Sequence, residues 1–129
     1  MGTVVVDAGV LIGWLDRSDP HHESAHESLE AHSTAELCVP ASALAEVLVG
    51  HVRRGTIESV RSILEQAGIQ CGTLGADAAV AAAELRARHR SLRLHDALVL
   101  GYASAVGAEE ILTTDRRLGR LGGGVVVIG

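Results

Sequence analysis

The chain has no phenylalanine, one tryptophan and one tyrosine among its 129 residues. Its interior must therefore be assembled from Val, Leu, Ile and Ala, which favours close helix and sheet packing over aromatic stacking platforms. Lysine is also absent, because all 11 basic side chains are arginine. No P-loop lysine and no Schiff-base lysine can operate here. A phosphoacceptor receiver-like site, which needs a lysine beside its acids, is excluded with them. The two cysteines, Cys38 and Cys71, stand far apart in β-like runs with no C-x-x-C spacing, and no secretory h-region opens the chain. Both are expected to be reduced structural thiols in the core of a cytoplasmic protein. The longest apolar run, Ala97 to Ala108, falls short of the roughly 20 residues that span a bilayer, so no membrane association is expected. A formal net charge of -5 argues against bulk electrostatic coating of nucleic acid, which needs a strongly basic domain.

What is present is enough apolar material for a real core, 47% of residues, in a length that fits one domain over residues 1–129. TVVV reads as a short strand closed by Asp7, Ala8 and Gly9, and VLIGWLD as a helix after the turn. His21 to His32 has helical spacing behind an Asp19 and Pro20 start signal. ELCVP is a second strand, followed by a helix capped by Ser42 and ended by Gly55, then a helix from Thr56 to Ala67. IQCGTL is a weaker third strand; Ala76 to Arg90 and Arg93 to Val106 are helices, the latter stopped by Gly107. EILTT is a strand, DRRLGRL a short helix, and GVVVIG a last strand entered through Gly122 to Gly124. This alternation predicts an α/β fold: a mainly parallel central sheet of about five strands with helices on both faces and right-handed crossovers.

In such a sheet, ligands bind beyond the carboxyl ends of the strands. Asp7 follows VVV and Asp115 follows ILTT, so both carboxylates are delivered to that edge. Glu46 lies in the first turns of the helix after LCVP, and Asp96 opens DALVLGYASAV; both are flanked by apolar residues. Taken singly, each acid has a structural explanation: a turn residue at Asp7, helix N-caps at Asp96 and Asp115, a solvated position at Glu46. Taken together, four such acids would repel one another, and a hard divalent cation such as Mg²⁺ or Mn²⁺ would relieve that repulsion. An all-carboxylate site with open metal positions suits hydrolysis of a phosphodiester by in-line displacement. Arg86, Arg88, Arg90 and Arg93 precede Asp96, and Arg116, Arg117 and Arg120 follow Asp115. They can hold phosphates or form a solvated charged face.

VVVDAGVLIGWLD, VPASALAEVLVG, LRLHDALVLGYASAVGAEEILTTD and VVVIG, in this order and spacing, resemble the PIN-domain proteins, specifically the VapC-type toxin ribonucleases of type II toxin-antitoxin pairs. The likeness covers essentially the whole chain. It implies a PIN-like three-layer fold and an acidic quartet of Asp7, Glu46, Asp96 and Asp115 holding Mg²⁺ or Mn²⁺, with Glu46 acting through water or as base. It implies that Thr113 hydrogen-bonds within the site. It also implies cleavage of structured RNA such as tRNA or rRNA, a homodimer, and a cognate VapB-like antitoxin. One departure stands out: the family often carries Ser, Thr or Asn where this chain has Gly9, which removes a side-chain hydrogen bond near the metal.

Two competing readings remain. HESAH, His22 to His26, matches the H-E-x-x-H helix of zinc peptidases, with Glu23 as base, although no third ligand is placed to complete it. A non-catalytic interaction module on the same fold would show no RNA cleavage with either metal. The Gly122 to Gly124 run lacks the GK[ST] of a phosphate cradle. His95, beside Asp96, is a substrate contact or a helix-start residue without a role, and Trp14 is a core or groove residue.

Overall fold

The computed structural model describes residues 2–129. Five strands form one sheet, β1 (Thr3–Val6), β2 (Glu36–Pro40), β3 (Ile69–Gly72), β4 (Glu110–Thr113) and β5 (Val125–Val127), in the spatial order β3-β2-β1-β4-β5. Every neighbouring pair is parallel. Six helices connect them: α1 (Ala8–Leu15), α2 (His22–Ala31), α3 (Ala41–Arg54), α4 (Ile57–Gln66), α5 (Ala76–Arg88) and α6 (Leu94–Val106), with a 3-10 turn at Leu118–Leu121. From β1 the chain builds outward through β2 and β3, then returns to build the other way through β4 and β5. Right-handed crossovers consequently carry α1 to α4 over one face and α5 and α6 over the other.

The central strands are the apolar ones, as burial on both faces requires: Val4, Val5 and Val6 of β1, Leu37, Cys38 and Val39 of β2, and Ile111 and Leu112 of β4 are buried. On the edges the demand relaxes, and Gln70 and Cys71 of β3 and Val126 and Val127 of β5 are exposed. Gly55 and Gly107 end α3 and α6 in the left-handed region, at φ 72° and 66°, which only glycine adopts freely.

Several expectations are corrected. Ser42 does not cap α3; Pro40 holds the cap position with no side-chain bond, because β2 runs straight into the helix. The Ser42 hydroxyl is left buried without a partner. Cys71 is exposed rather than in the core, since β3 is an edge strand. Cys38 is buried, and burial pushes its thiol up, consistent with an inert structural residue. The helix expected over DRRLGRL shrinks to the Leu118–Leu121 turn, because the Asp115 carboxylate accepts the Arg117 N–H and spends those residues on a tight turn.

Helix α6, which begins at the functional edge, is set by its contact with α5. Small residues line it: Ala78 and Ala82 on one side, Ala97 and Gly101 on the other, all buried. A Cβ on Gly101 would lie 2.7 Å from the Ala78 carbonyl oxygen and 2.8 Å from the Ala82 nitrogen. Backbone cannot retreat as a side-chain tip can. Gly101→Ala is therefore expected to destabilise the protein by about 1–3 kcal/mol in denaturant unfolding, although alanine is the better helix former by about 1 kcal/mol.

At the opposite edge, His32 ties the end of α2 to the start of β4. Its Nδ1 lies 2.7 Å from the Ser28 carbonyl oxygen and its Nε2 2.7 Å from a Glu110 carboxylate oxygen. Both partners are acceptors, so the ring satisfies both only as imidazolium. The Ser28 bond and the Glu110 carboxylate raise its pKa above 6.5. A raised folded-state value stabilises below the unfolded value, and the contribution fades as pH rises through the folded one. Below pH 6.5 the wild type should melt roughly 2–4 °C above Glu110→Gln, the pair being partly exposed. That gap should close in alkaline buffer; a gap independent of pH would contradict the ionic pairing.

Candidate functional site

Strand order reverses direction between β1 and β4, and the crevice beyond their carboxyl ends is where a parallel sheet exposes backbone and side chains to a ligand. Val6 pairs with Leu112, so the next residues, Asp7 and Thr113, face each other across this point. Asp7 N–H still donates to the Leu112 carbonyl at 2.9 Å. The first residue past the central strand is thus held as firmly as the strand itself.

The Asp7 carboxylate is buried, at 7% exposure, and is held at both oxygens. Oδ1 accepts the Ala8 N–H at 2.8 Å, which caps α1, and Oδ2 accepts the Thr113 hydroxyl at 2.8 Å. Burial raises its pKa above the ordinary 3.8, and the Asp96 charge adds to the rise. The two hydrogen bonds and His95 oppose it without prevailing. Thr113 is fully buried, and its oxygen also accepts the Asp115 N–H at 3.0 Å. One hydroxyl therefore couples two of the acids.

Asp96 is buried as the third residue of α6; Arg93 is the cap residue, so the helix-cap explanation for Asp96 does not hold. Arg93 Nε lies 3.3 Å from Asp96 Oδ2. Asp115 is gripped by Arg117: Nε to Oδ1 at 3.2 Å, Nη2 to Oδ2 at 3.0 Å, and the backbone N–H to Oδ1 at 2.9 Å. The Arg117 bond holds the Asp115 carboxyl below its usual range. Glu46 is exposed rather than enclosed by its apolar neighbours, because the helical turn carries Leu44, Val47 and Leu48 toward the core and leaves Glu46 on the solvent side with Ala45. Its Oε2 lies 3.5 Å from His95 Nε2. His95, in the sequence either a substrate contact or a helix-start residue without a role, meets Glu46 only because α3 packs against the start of α6.

The four acids thus occupy one electrostatic neighbourhood, since Asp7 feels Asp96 and His95, Asp115 feels Arg93, and Glu46 meets His95. They do not close into a cluster: among the described residues no three His, Cys, Asp or Glu converge as metal ligands. Each carboxylate points at its own donor. HESAH lies on α2 with the His22 and His26 rings stacked, centroids 6.5 Å apart. His22 Nδ1 lies 2.8 Å from the Gly13 carbonyl oxygen, which fastens α2 to α1. Arg86 is spent on the Leu92 carbonyl, and Arg116 is exposed. Gly124 is part of the turn into β5, where its carbonyl oxygen accepts the Ile111 N–H at 2.8 Å. Trp14 packs half-buried against the core.

Thr113→Val keeps the shape and removes both bonds of the shared hydroxyl. It should lower unfolding stability by about 1–3 kcal/mol, the cost of stranding a buried carboxylate oxygen and an N–H, whereas Thr113→Ser should retain most of it. Equal stability of Val and wild type would show that the hydroxyl does not support Asp7.

Several solved structures share this architecture. A chain of a toxin-antitoxin complex from Klebsiella pneumoniae superposes with a TM-score of 0.81 at 23% identity, covering 96% of each chain. VapC20 of Mycobacterium tuberculosis, described as a sarcin-ricin loop cleaving toxin, gives 0.75 at 19% identity, over 93% of this chain and 95% of that one. A chain of VapBC2 from Rickettsia felis, bound to a DNA fragment from its promoter, gives 0.79 at 16% identity over 98% and 99%. No curated protein matches the sequence. The family model of the PIN domain matches residues 4–124, nearly the whole chain, and the protein belongs to the PIN-domain family.

Proposed function

We propose that this protein is a Mg²⁺- or Mn²⁺-dependent endoribonuclease that hydrolyses RNA phosphodiester bonds as the toxin of a type II toxin-antitoxin pair. The observation that carries this reading is the Asp7 carboxylate, taken out of water beside buried Asp96 at the point where strand order reverses. Burying two like charges side by side is costly unless a cation shares them. The donor set fits a hard ion. A carboxylate has about four lone-pair positions, and Asp7 uses one on each oxygen, leaving oxygen sites of the kind Mg²⁺ and Mn²⁺ accept. Asp7 and Asp96 are the direct ligands, Asp115 joins them, and Glu46 acts through water or as base. When bound, the ion activates water and stabilises the leaving oxygen.

The chain's own residues do the rest. Thr113 fixes the rotamer of Asp7 and, through the Asp115 N–H, the position of β4's end. Glu46, with His95 beside it, would accept a proton from the attacking water. Arg93 and Arg117 stand at the rim with exposed side chains and can hold phosphate oxygens once their carboxylates turn to the ion. The neighbours in toxin-antitoxin complexes support a VapB-like antitoxin as partner, and the neighbour described as a sarcin-ricin loop cleaving toxin supports structured RNA as substrate, tRNA or rRNA on the family likeness. A homodimer and a cytoplasmic location complete the reading. No helix among the described residues is long and apolar enough to cross a membrane.

Incubation with total RNA should give discrete cleavage with Mg²⁺ or Mn²⁺ and none with excess chelator. Asp7→Asn and Asp96→Asn should each cut activity by more than the roughly 10–100-fold that loss of an outer-shell partner costs. Both variants should still melt cooperatively, because the lost oxygen acceptor is offset by removal of a buried charge. Cleavage that survives both substitutions or the chelator would falsify the metal-carboxylate mechanism, and no cleavage under any condition would favour a non-catalytic module.

A further inference from the structure

Gly9 lies in the first turn of α1, two residues after Asp7. Its lack of a side chain has a local cause: a Cβ built there would overlap Thr114 Oγ1. The volume that a residue at position 9 would use is therefore already filled, by a hydroxyl delivered from the end of β4. Successive side chains of an extended chain point opposite ways, and the pair Thr113 and Thr114 divides accordingly. Thr113 Oγ1 turns to Asp7 and is used twice, as donor to Oδ2 and acceptor from Asp115 N–H. Thr114 Oγ1 turns to Gly9, and among the described residues it has no hydrogen bond within the chain. Thr114 is partly exposed, between a residue that touches Asp7 and a residue that carries a site carboxylate.

We infer that Thr114 is a positioning residue of the site, presenting a free hydroxyl beside the Asp7 turn to a water in the shell of an ion held by the carboxylates. The inference rests on the reading of those carboxylates as a metal centre. A hydroxyl both donates and accepts, so it can orient a water of the ion's shell. Thr114 also supplies what Gly9 lacks. The hydroxyl that a Ser or Thr at position 9 would bring from α1 arrives instead from β4, and the two arrangements exclude each other because they claim the same space.

That exclusion makes the inference testable by moving the hydroxyl. Mn²⁺ affinity is measured by calorimetry on the wild type, Thr114→Val, Thr114→Ser, Gly9→Ala, Asp7→Asn and the double variant Gly9→Ser with Thr114→Ala, with a melting curve for each. Thr114→Val should weaken Mn²⁺ binding roughly 10-fold, the scale of an outer-shell partner, and Thr114→Ser should restore it. Gly9→Ala, which pushes the Thr114 hydroxyl aside, should weaken binding as Thr114→Val does. The double variant should bind as the wild type, since serine at position 9 returns a hydroxyl to the vacated volume. A merely structural Thr114 would move melting curves without this pattern in affinity. Mn²⁺ binding by Thr114→Val equal to wild type, with Asp7→Asn still impaired, would overturn the role of Thr114 and leave the metal centre standing. Wild-type protein that binds no Mn²⁺ would overturn both.

Discussion

The hydrogen bond from Thr113 to Asp7 is the joint on which the site depends. It crosses the β1–β4 boundary at the point where the sheet changes direction, between a fully buried hydroxyl and a carboxylate that the fold has desolvated. Desolvation alone would drive a proton onto Asp7, and the bonds from Thr113 and Ala8 recover only part of that cost. The same threonine oxygen accepts the Asp115 N–H, so the geometry of two acids is set by one side chain with no freedom to move. A charge so constrained and incompletely compensated is uncommon in a core unless the compensation comes from a ligand.

Around this joint the remaining acids are balanced pairwise. Asp96 has Arg93, Asp115 has the Arg117 fork, and Glu46 has His95. This distribution explains why the carboxylates do not converge: each turns toward a local partner instead of toward a neighbouring acid, and for Asp96 and Asp115 that partner is an arginine cation. On the proposed reading, a divalent ion competes with these pairs. Arg93 and Arg117 are both well exposed while Asp96 and Asp115 are not, so the ion must replace the compensation that each arginine gives its carboxylate. Among the described residues Asp7 has no ion pair of its own, and on the same reading it gains most from the ion.

How much of this was legible in the sequence depended on how local the deciding physics was. Asp7 and Asp115 could be placed because a β-branched run ending in an acid puts that acid at the strand's carboxyl edge. Gly55 and Gly107 were readable as helix stops because their left-handed φ is a backbone property of the residue itself. The α/β alternation gave the parallel sheet through short connections and helical periodicity. Properties set by tertiary neighbours were not readable. Ser42 resembles a cap until β2 is seen to run directly into α3, and Cys71 resembles a core residue until β3 falls at the edge. Asp96 looked like the opening of a helix that begins two residues earlier. The roles of the two threonines are the sharpest case. Thr113 could be suspected only through family likeness, and nothing in the string TTD tells that its neighbour occupies the space above Gly9.

Whether Asp7 is a desolvated carboxylate that a divalent cation relieves is measured most directly by its titration by carboxyl carbon NMR with and without saturating Mg²⁺. Without metal its pKa should lie above 3.8, the ordinary value, and Mg²⁺ should bring it down as the ion takes over the compensation that the protein leaves incomplete. A value at or below 3.8 without metal that Mg²⁺ does not move would contradict it.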